Sequence, residues 1–166
     1  MGAPDTCPGC GLPGDRKACQ DLFNDVSLRV RALAWTDSLK TWRVMHDVYA
    51  LQHPDDLCTS FKDLITHLGG VAWAIEHDGS ERGHRALQQL ASRSGWQHQS
   101  YPPEPGLPGR RGTILVSSLE SLTEPPLLVA GIDRWARATW LAYSQLQAVA
   151  RDWVQQAIPL MPDRKH

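Results

Sequence analysis

Apolar side chains recur every three or four positions through most of this 166-residue chain. That spacing places them on one face of an α-helix, which turns once in about 3.6 residues. Four stripes follow the rule: Cys19, Phe23, Val26, Val30 and Leu33; Leu39, Trp42, His46, Tyr49 and His53; Phe61, Leu64, Leu68, Val71 and Ile75; and Ile132, Trp135, Thr139, Ala142, Leu146, Val149 and Trp153. The pattern predicts an all-α, mainly helical fold.

Helices joined by short loops pack as antiparallel neighbours, so we expect one antiparallel bundle of about four long helices within a single domain, 1–166. Its expected parts are a Cys/Gly/Pro-rich N-terminal arm (1–15), four helices (16–93), a Pro-rich connector (94–116), and a short helix followed by a long C-terminal helix (117–166). Within these parts we expect helices at 38–53, 59–77, 80–92 and 133–157, and a short strand or extended piece at 113–116.

The charge balance limits the classes of partner. The chain has 17 Lys and Arg against 18 Asp and Glu, a formal net charge of -1, which gives no electrostatic reason to expect nucleic acid or an anionic membrane. The N-terminus lacks a signal-peptide pattern, and no segment approaches the roughly 20 apolar residues that cross a bilayer. We therefore expect a cytoplasmic protein that binds neither nucleic acid nor a membrane. In a reducing compartment its four cysteines are expected as thiols or metal ligands.

The segment Cys7-Pro8-Gly9-Cys10 is the strongest chemical signal. Two cysteines on a tight Gly/Pro turn can direct both thiolates to one metal ion, the geometry of a zinc knuckle. One such pair supplies half of a tetrahedral site. Two other interpretations stay open: free thiols on a disordered arm, or a redox pair, although the latter usually adjoins a βαβ pattern that this sequence lacks.

The other half of the site follows from the expected bundle. Cys19 begins the first helix and His53 ends the second, so antiparallel packing brings both to the end where the arm enters. We therefore predict one zinc ion bound by Cys7, Cys10, Cys19 and His53. Cys58, just before the third helix, is an alternative for one of these ligands.

Two further histidines, His46 and His67, lie about two turns deeper in the expected bundle, at similar depth. We predict that they meet there as a catalytic acid and base, with Tyr49, one turn from His46, supplying a hydroxyl. The alternative is that each is a hydrogen-bonded core histidine. Asp47 is expected on another face, at the surface, and His84 is expected to be exposed.

Four segments together carry a resemblance: CPGCG at 7–11, HDVYALQHP at 46–54, HLGGVAWAIEH at 67–77 and RWARATWLAY at 134–143. They resemble a family of small, uncharacterised bacterial proteins classed as a domain of unknown function. The family pattern includes Cys7, Cys10, Cys19, His46, His53 and His67. The resemblance implies a metal or thiol site and no particular reaction.

Two functions are compatible with this pattern, and the first is favoured because histidines beyond a fourth ligand are unnecessary for a structural ion. In the first, the protein is a small metal-dependent enzyme whose zinc keeps a position open for water or a small-molecule substrate. In the second, the zinc site is closed and structural, and the protein contacts a protein partner. The number of protein ligands separates them, because four ligands favour a structural ion and three favour a catalytic one.

Overall fold

The computed structural model describes residues 6–93 and 106–161, and these contain helices and connecting segments. The helices are α1 (Arg16–Arg31), α2 (Trp35–Gln52), α3 (Pro54–Leu57), α4 (Phe61–Glu76), α5 (Glu81–Arg93), α6 (Pro125–Ala142) and α7 (Gln147–Ala157), with short 3-10 helices at Val116–Leu119, Ser144–Leu146 and Ile158–Leu160. Over this part of the chain, β pairing is limited to one isolated bridge between Thr6 and Pro13. The all-α prediction is confirmed.

Helices α1 and α2 run antiparallel. Cys19 near the start of α1 lies 3.4 Å (Sγ to Nε2) from His53, just after the end of α2. At the other end of the pair, the guanidinium of Arg31 lies over the ring of Trp42, 5.6 Å from its centroid. The predicted packing of these two helices, on which the zinc-site prediction depended, is therefore correct.

Helix α4 lies at the centre of the bundle, packed against α2, α5, α6 and α7. It too is antiparallel to α2, because the ring centroids of His46 and His67 are 5.7 Å apart while Lys40 donates to the carbonyl of Asp78 just beyond α4. Gly69 allows α7 to approach, since a Cβ there would lie 3.0 Å from Cδ1 of Trp153. Most residues of α4 between Phe61 and Trp73 are correspondingly buried.

The C-terminal half differs from the prediction in two places. No strand forms at 113–116; Leu115 is extended, as the alternative of an extended piece allows, and a 3-10 helix begins at Val116. The expected helix at 133–157 is two helices, because α6 begins at Pro125 and ends at Ala142, and a 3-10 turn precedes α7. The prolines fit the first turn of α6, where an N–H has no intrahelical acceptor. Apolar periodicity continued across the turn and therefore concealed it.

Two expectations fall partly outside the described residues: the first five positions of the arm, and most of the connector, at 94–105. None of the described helices is long and apolar enough to cross a membrane.

Candidate metal centre

Four predicted ligands, Cys7, Cys10, Cys19 and His53, come together in what we call the Cys/His cluster. One ligand atom from each lies within 4.8 Å of every other, so the cluster can hold a metal ion. The arm supplies the first two residues, α1 the third, and the junction of α2 and α3 the fourth. Cys10 is half-buried and the other three are buried.

The distances in the Cys/His cluster match the edges of a tetrahedron around one ion. The Sγ atoms of Cys10 and Cys19 are 3.7 Å apart. The Nε2 atom of His53 lies 3.4 Å from the Sγ atoms of both Cys7 and Cys19. Around a tetrahedral zinc ion, with Zn–S bonds of about 2.3 Å and Zn–N bonds of about 2.0–2.1 Å, sulfur–sulfur edges are about 3.8 Å and sulfur–nitrogen edges about 3.5–3.6 Å. The residues fit such an ion closely.

The position of His53 follows from the sequence around it. Pro54 disfavours the helical conformation of the preceding residue, and His53 accordingly leaves α2 with φ of -129° and ψ of 48°. Its Nδ1 atom lies 2.8 Å from the carbonyl oxygen of Tyr49 and donates to it. That bond fixes the tautomer that leaves the Nε2 lone pair free for a metal, as is usual for histidine ligands.

The arm is held over the cluster by its own turn and by one arginine. Cys7 donates its N–H to the carbonyl of Leu12, and Gly11 donates to the carbonyl of Cys7, both at 2.8 Å. Arg111 donates to the carbonyl of Gly9 at 3.1 Å and pairs with Asp55 of α3 at 2.9 Å. The arm is therefore attached to α3 through Arg111.

The electrostatics favour negative charge at Cys19. The hydrogen bond from the Cys10 thiol, opposed by burial, lowers the pKa of the Cys19 thiol to about 4. The same bond, together with burial, raises the pKa of Cys10 above its ordinary value. Negative charge is thus favoured at Cys19 over Cys10, and a bound cation would favour deprotonation of the thiols that it contacts.

The hydroxyl of Tyr49 also belongs to this region, not to the deeper histidine pair where it was expected. It donates to the Sγ atom of Cys19 at 3.7 Å and accepts a hydrogen bond from Arg16. Burial raises the pKa of Tyr49, so the phenol stays protonated and remains a donor. Arg16 in turn pairs with Asp56 at 2.7 Å, which brings a positive charge next to the thiols.

Cys58, the alternative ligand, is buried but is not part of the Cys/His cluster. Burial raises the pKa of its thiol to about 12. It is a neutral thiol of the core.

A second group, which we call the His/Asp cluster, consists of His46, Asp47 and His67. Again one ligand atom from each lies within 4.8 Å of the others. The predicted meeting of His46 and His67 is observed, but His46 is exposed and not deep in the bundle, and the expected positions of two neighbours are also wrong. Asp47 accepts a hydrogen bond from Nδ1 of His67 at 2.8 Å, and His84 is 4% exposed with its Nδ1 3.7 Å from the carboxylate of Asp47.

Sequence patterns contain little indication that Asp47 and His84 would lie at these positions. Asp47 directly follows His46 and therefore points about 100° away from it around α2. It is half-buried because it faces α4 at Gly70, where a Cβ would overlap with its carboxylate. Gly70, in the segment HLGG, is the one local signal. A glycine inside a helix indicates that another group approaches closely, but it does not identify that group.

Comparison with protein-family models matched residues 5–144 to a family described as a family of unknown function (DUF5946). The match includes every residue of the two clusters, and it confirms the predicted resemblance to an uncharacterised family. No curated protein and no solved structure matches the chain.

Proposed function

The chain belongs to DUF5946, a family of unknown function, and we propose that it is a zinc-binding helical protein whose zinc ion is structural. The ion is held by Cys7, Cys10, Cys19 and His53. The observation that supports this most directly is that three of the six separations among the ligand atoms are 3.4–3.7 Å, close to the edges of a tetrahedral zinc site, while every pair lies within 4.8 Å.

The donor set favours zinc over other divalent ions. Three thiolates and one imidazole are soft and borderline ligands, which bind zinc in tetrahedral geometry, whereas calcium and magnesium prefer oxygen. A zinc ion has two positive charges and the three thiolates have three negative charges, so with a neutral imidazole the site has a net charge of about -1. The nearby guanidinium of Arg16, which hydrogen-bonds Tyr49 beside Cys19 and is also paired with Asp56, lowers the electrostatic cost of that charge.

Four protein ligands leave a tetrahedral ion no open position for water or substrate, and this favours the structural role over the catalytic one. The ligands also come from parts of the chain that are distant in sequence. The ion would tie the arm to the start of α1 and to the junction of α2 and α3. In this proposal zinc stabilises the fold at one end of the bundle, and His46 and His67 take no part in its chemistry.

Elemental analysis and thermal unfolding of the full-length, reduced protein test the proposal. We expect zinc to be lost from Cys7→Ser and Cys19→Ser, and retained by Cys58→Ala, which removes a buried thiol outside the Cys/His cluster. We expect a strong chelator to lower the Tm of the wild type to that of Cys19→Ser. Retention of all zinc by Cys7→Ser and Cys19→Ser would refute the site.

The closed geometry has its own test. Cobalt(II) in place of zinc gives a thiolate-to-metal charge-transfer absorption that reports on this site alone. We expect azide to leave that absorption unchanged, because an ion with four protein ligands has no position for it. A change on addition of azide would show an open position and would support the catalytic function instead.

A further inference from the structure

We infer that the protein has a second metal site, at the His/Asp cluster, where His46, Asp47 and His67 bind a divalent transition-metal ion with open coordination positions. The site goes beyond the structural zinc and does not depend on it. It would supply the protein with an exchangeable metal able to bind water or a small ligand.

The ligand types and their separations support the site. Two imidazoles and a carboxylate form the donor set common at open sites for iron, zinc, manganese and cobalt. Without a metal, Nδ1 of His67 donates to Oδ1 of Asp47 at 2.8 Å; a metal bound by both atoms would replace that proton, and the separation is already close to the roughly 3 Å edge between neighbouring ligands bound at about 2.0–2.2 Å. The rings of His46 and His67 have centroids 5.7 Å apart, which a modest rotation of exposed His46 can reduce.

The carboxylate of Asp47 occupies a position made for it by a glycine. At Gly70 of α4 a Cβ would overlap with the Oδ2 atom of Asp47 and lie 2.8 Å from its Cγ. Glycine costs about 1 kcal/mol relative to alanine in a helix interior, so its presence here has a steric reason. The helix backbone and His67 together hold the carboxylate at the floor of a cavity.

That cavity has a volume of about 180 Å³ and is lined by Trp42, Arg43, His46, Asp47, Thr66, His67, His84, Leu87 and Gln88. His84, 4% exposed, has an Nε2 atom without a hydrogen-bond partner among the described residues. Buried polar nitrogens are nearly always paired. His84 is thus a polar lining residue whose second nitrogen lacks the partner that such groups nearly always have, which is compatible with a polar occupant of the cavity.

Exposure increases from the floor of the cavity to its mouth. The side chains of His84, Asp47 and His67 are 5%, 14% and 21% exposed, while His46 is an exposed residue at the rim. The metal can therefore enter from the solvent side, where His46 is the one ligand that we assign. Three protein ligands leave coordination positions for water, whose pKa a bound metal lowers.

The two sites are separate although both use α2. His46 and His53 are seven residues apart, or about 10.5 Å along a helix, too far for one ion. Their ligands also differ in kind, since the His/Asp cluster contains no sulfur. A metal at this site therefore lacks the thiolate charge-transfer absorption that marks the Cys/His cluster.

Titration of the zinc-loaded, full-length protein with cobalt(II) tests the inference. We expect weak d–d absorption without a thiolate charge-transfer band, and a second equivalent of metal by elemental analysis. In His46→Ala and His67→Ala we expect at least a tenfold rise in the Kd for this cobalt ion, with the zinc content unchanged. His46→Ala is the safer variant for folding, because the side chain is exposed and contributes little packing.

His77→Ala is the matched control, since His77 is an exposed histidine at the end of α4 whose ring stacks on Trp73. Its Kd should equal that of the wild type. If the wild type binds no second ion, or if His46→Ala and His67→Ala bind it as tightly as His77→Ala does, the second site is refuted. Loss of zinc from the cysteine variants is a separate outcome, so failure of one site can be told from failure of the other.

Discussion

Gly9 lies against the imidazole of His53 so closely that a Cβ at position 9 would overlap with Cδ2 of the ring and lie 3.0 Å from its Cγ. The turn from Cys7 to Cys10 can therefore place both thiols in the cluster with His53 only if position 9 is glycine. We predict that Gly9→Ala weakens zinc binding by about 10- to 100-fold, the range for residues that orient ligands. Competition with a chromogenic chelator measures the change.

Gly109→Ala is the control for this substitution, because a Cβ at position 109 would meet no atom within 4 Å. It should retain the zinc affinity of the wild type. If Gly9→Ala also retains it, the close approach to His53 does not determine the geometry of the site.

The hydroxyl of Tyr49 provides a second prediction. It donates to the Sγ atom of Cys19 at 3.7 Å, while its ring stacks on Phe23 with centroids 3.9 Å apart. Tyr49→Phe keeps the stacking and removes the donor, so we expect zinc to bind about tenfold more weakly. Isothermal competition titration against a chelator of known affinity measures this.

Tyr143→Phe separates that effect from the general loss of a buried hydrogen bond. The hydroxyl of Tyr143 donates to the carbonyl of Leu51 at 2.6 Å, an acceptor that is not a residue of the Cys/His cluster. Its removal should lower the free energy of unfolding by about 1 kcal/mol and leave zinc affinity unchanged. Equal loss of zinc affinity in both variants would contradict the role given to Tyr49.

The Cys/His cluster could be predicted because it depends on few assumptions. Cys19 begins a periodic segment and Pro54 ends the next, so His53 had to lie at the end of its helix. Antiparallel packing then brings Cys19 and His53 together, and the arm reaches them because it directly precedes α1. Each step uses local sequence signals, and no detail of side-chain packing is required.

The His/Asp cluster could be predicted only in part. Equal depth on two antiparallel helices predicted that His46 and His67 meet. The inclusion of Asp47 depends on how α2 is rotated against α4, and the burial of His84 depends on where α5 packs. The rotation of α2 and the position of α5 both depend on the volumes of side chains that meet between helices. The close contact of Gly83 with the ring of Trp73 is one example. Hydrophobic periodicity does not contain this information.

Gly70 makes the packing around Asp47 testable. Alanine usually stabilises a helix interior by about 1 kcal/mol relative to glycine, yet we predict that Gly70→Ala destabilises the protein by about 1–3 kcal/mol, because the new methyl group overlaps with the carboxylate of Asp47. Chemical denaturation measures this change. Combining Gly70→Ala with Asp47→Ala should recover most of the loss that Gly70→Ala causes, since the clash is then removed. Additive losses would contradict the steric explanation.

Asp63 in the first turn of α4 predicts a pH dependence. Partial burial raises the pKa of its carboxyl, but hydrogen bonds from the hydroxyl and the N–H of Thr59 and from Ser60 outweigh burial and hold the pKa below its ordinary value. A lowered folded-state pKa contributes stability above the unfolded pKa of about 3.9, and that stability is lost as pH falls through the folded value.

Asp63→Asn should therefore cost about 0.3–1 kcal/mol at neutral pH, the usual range for an anion at a helix N-terminus. In urea denaturation across the acidic range, its curve should converge with that of the wild type. Zinc bound as proposed would be released from both proteins in acid, so the comparison cancels that loss. Asp25→Asn, at an exposed position on α1, should match the wild type throughout, and a cost of Asp63→Asn that is constant with pH would contradict the explanation from hydrogen bonding to the charged form.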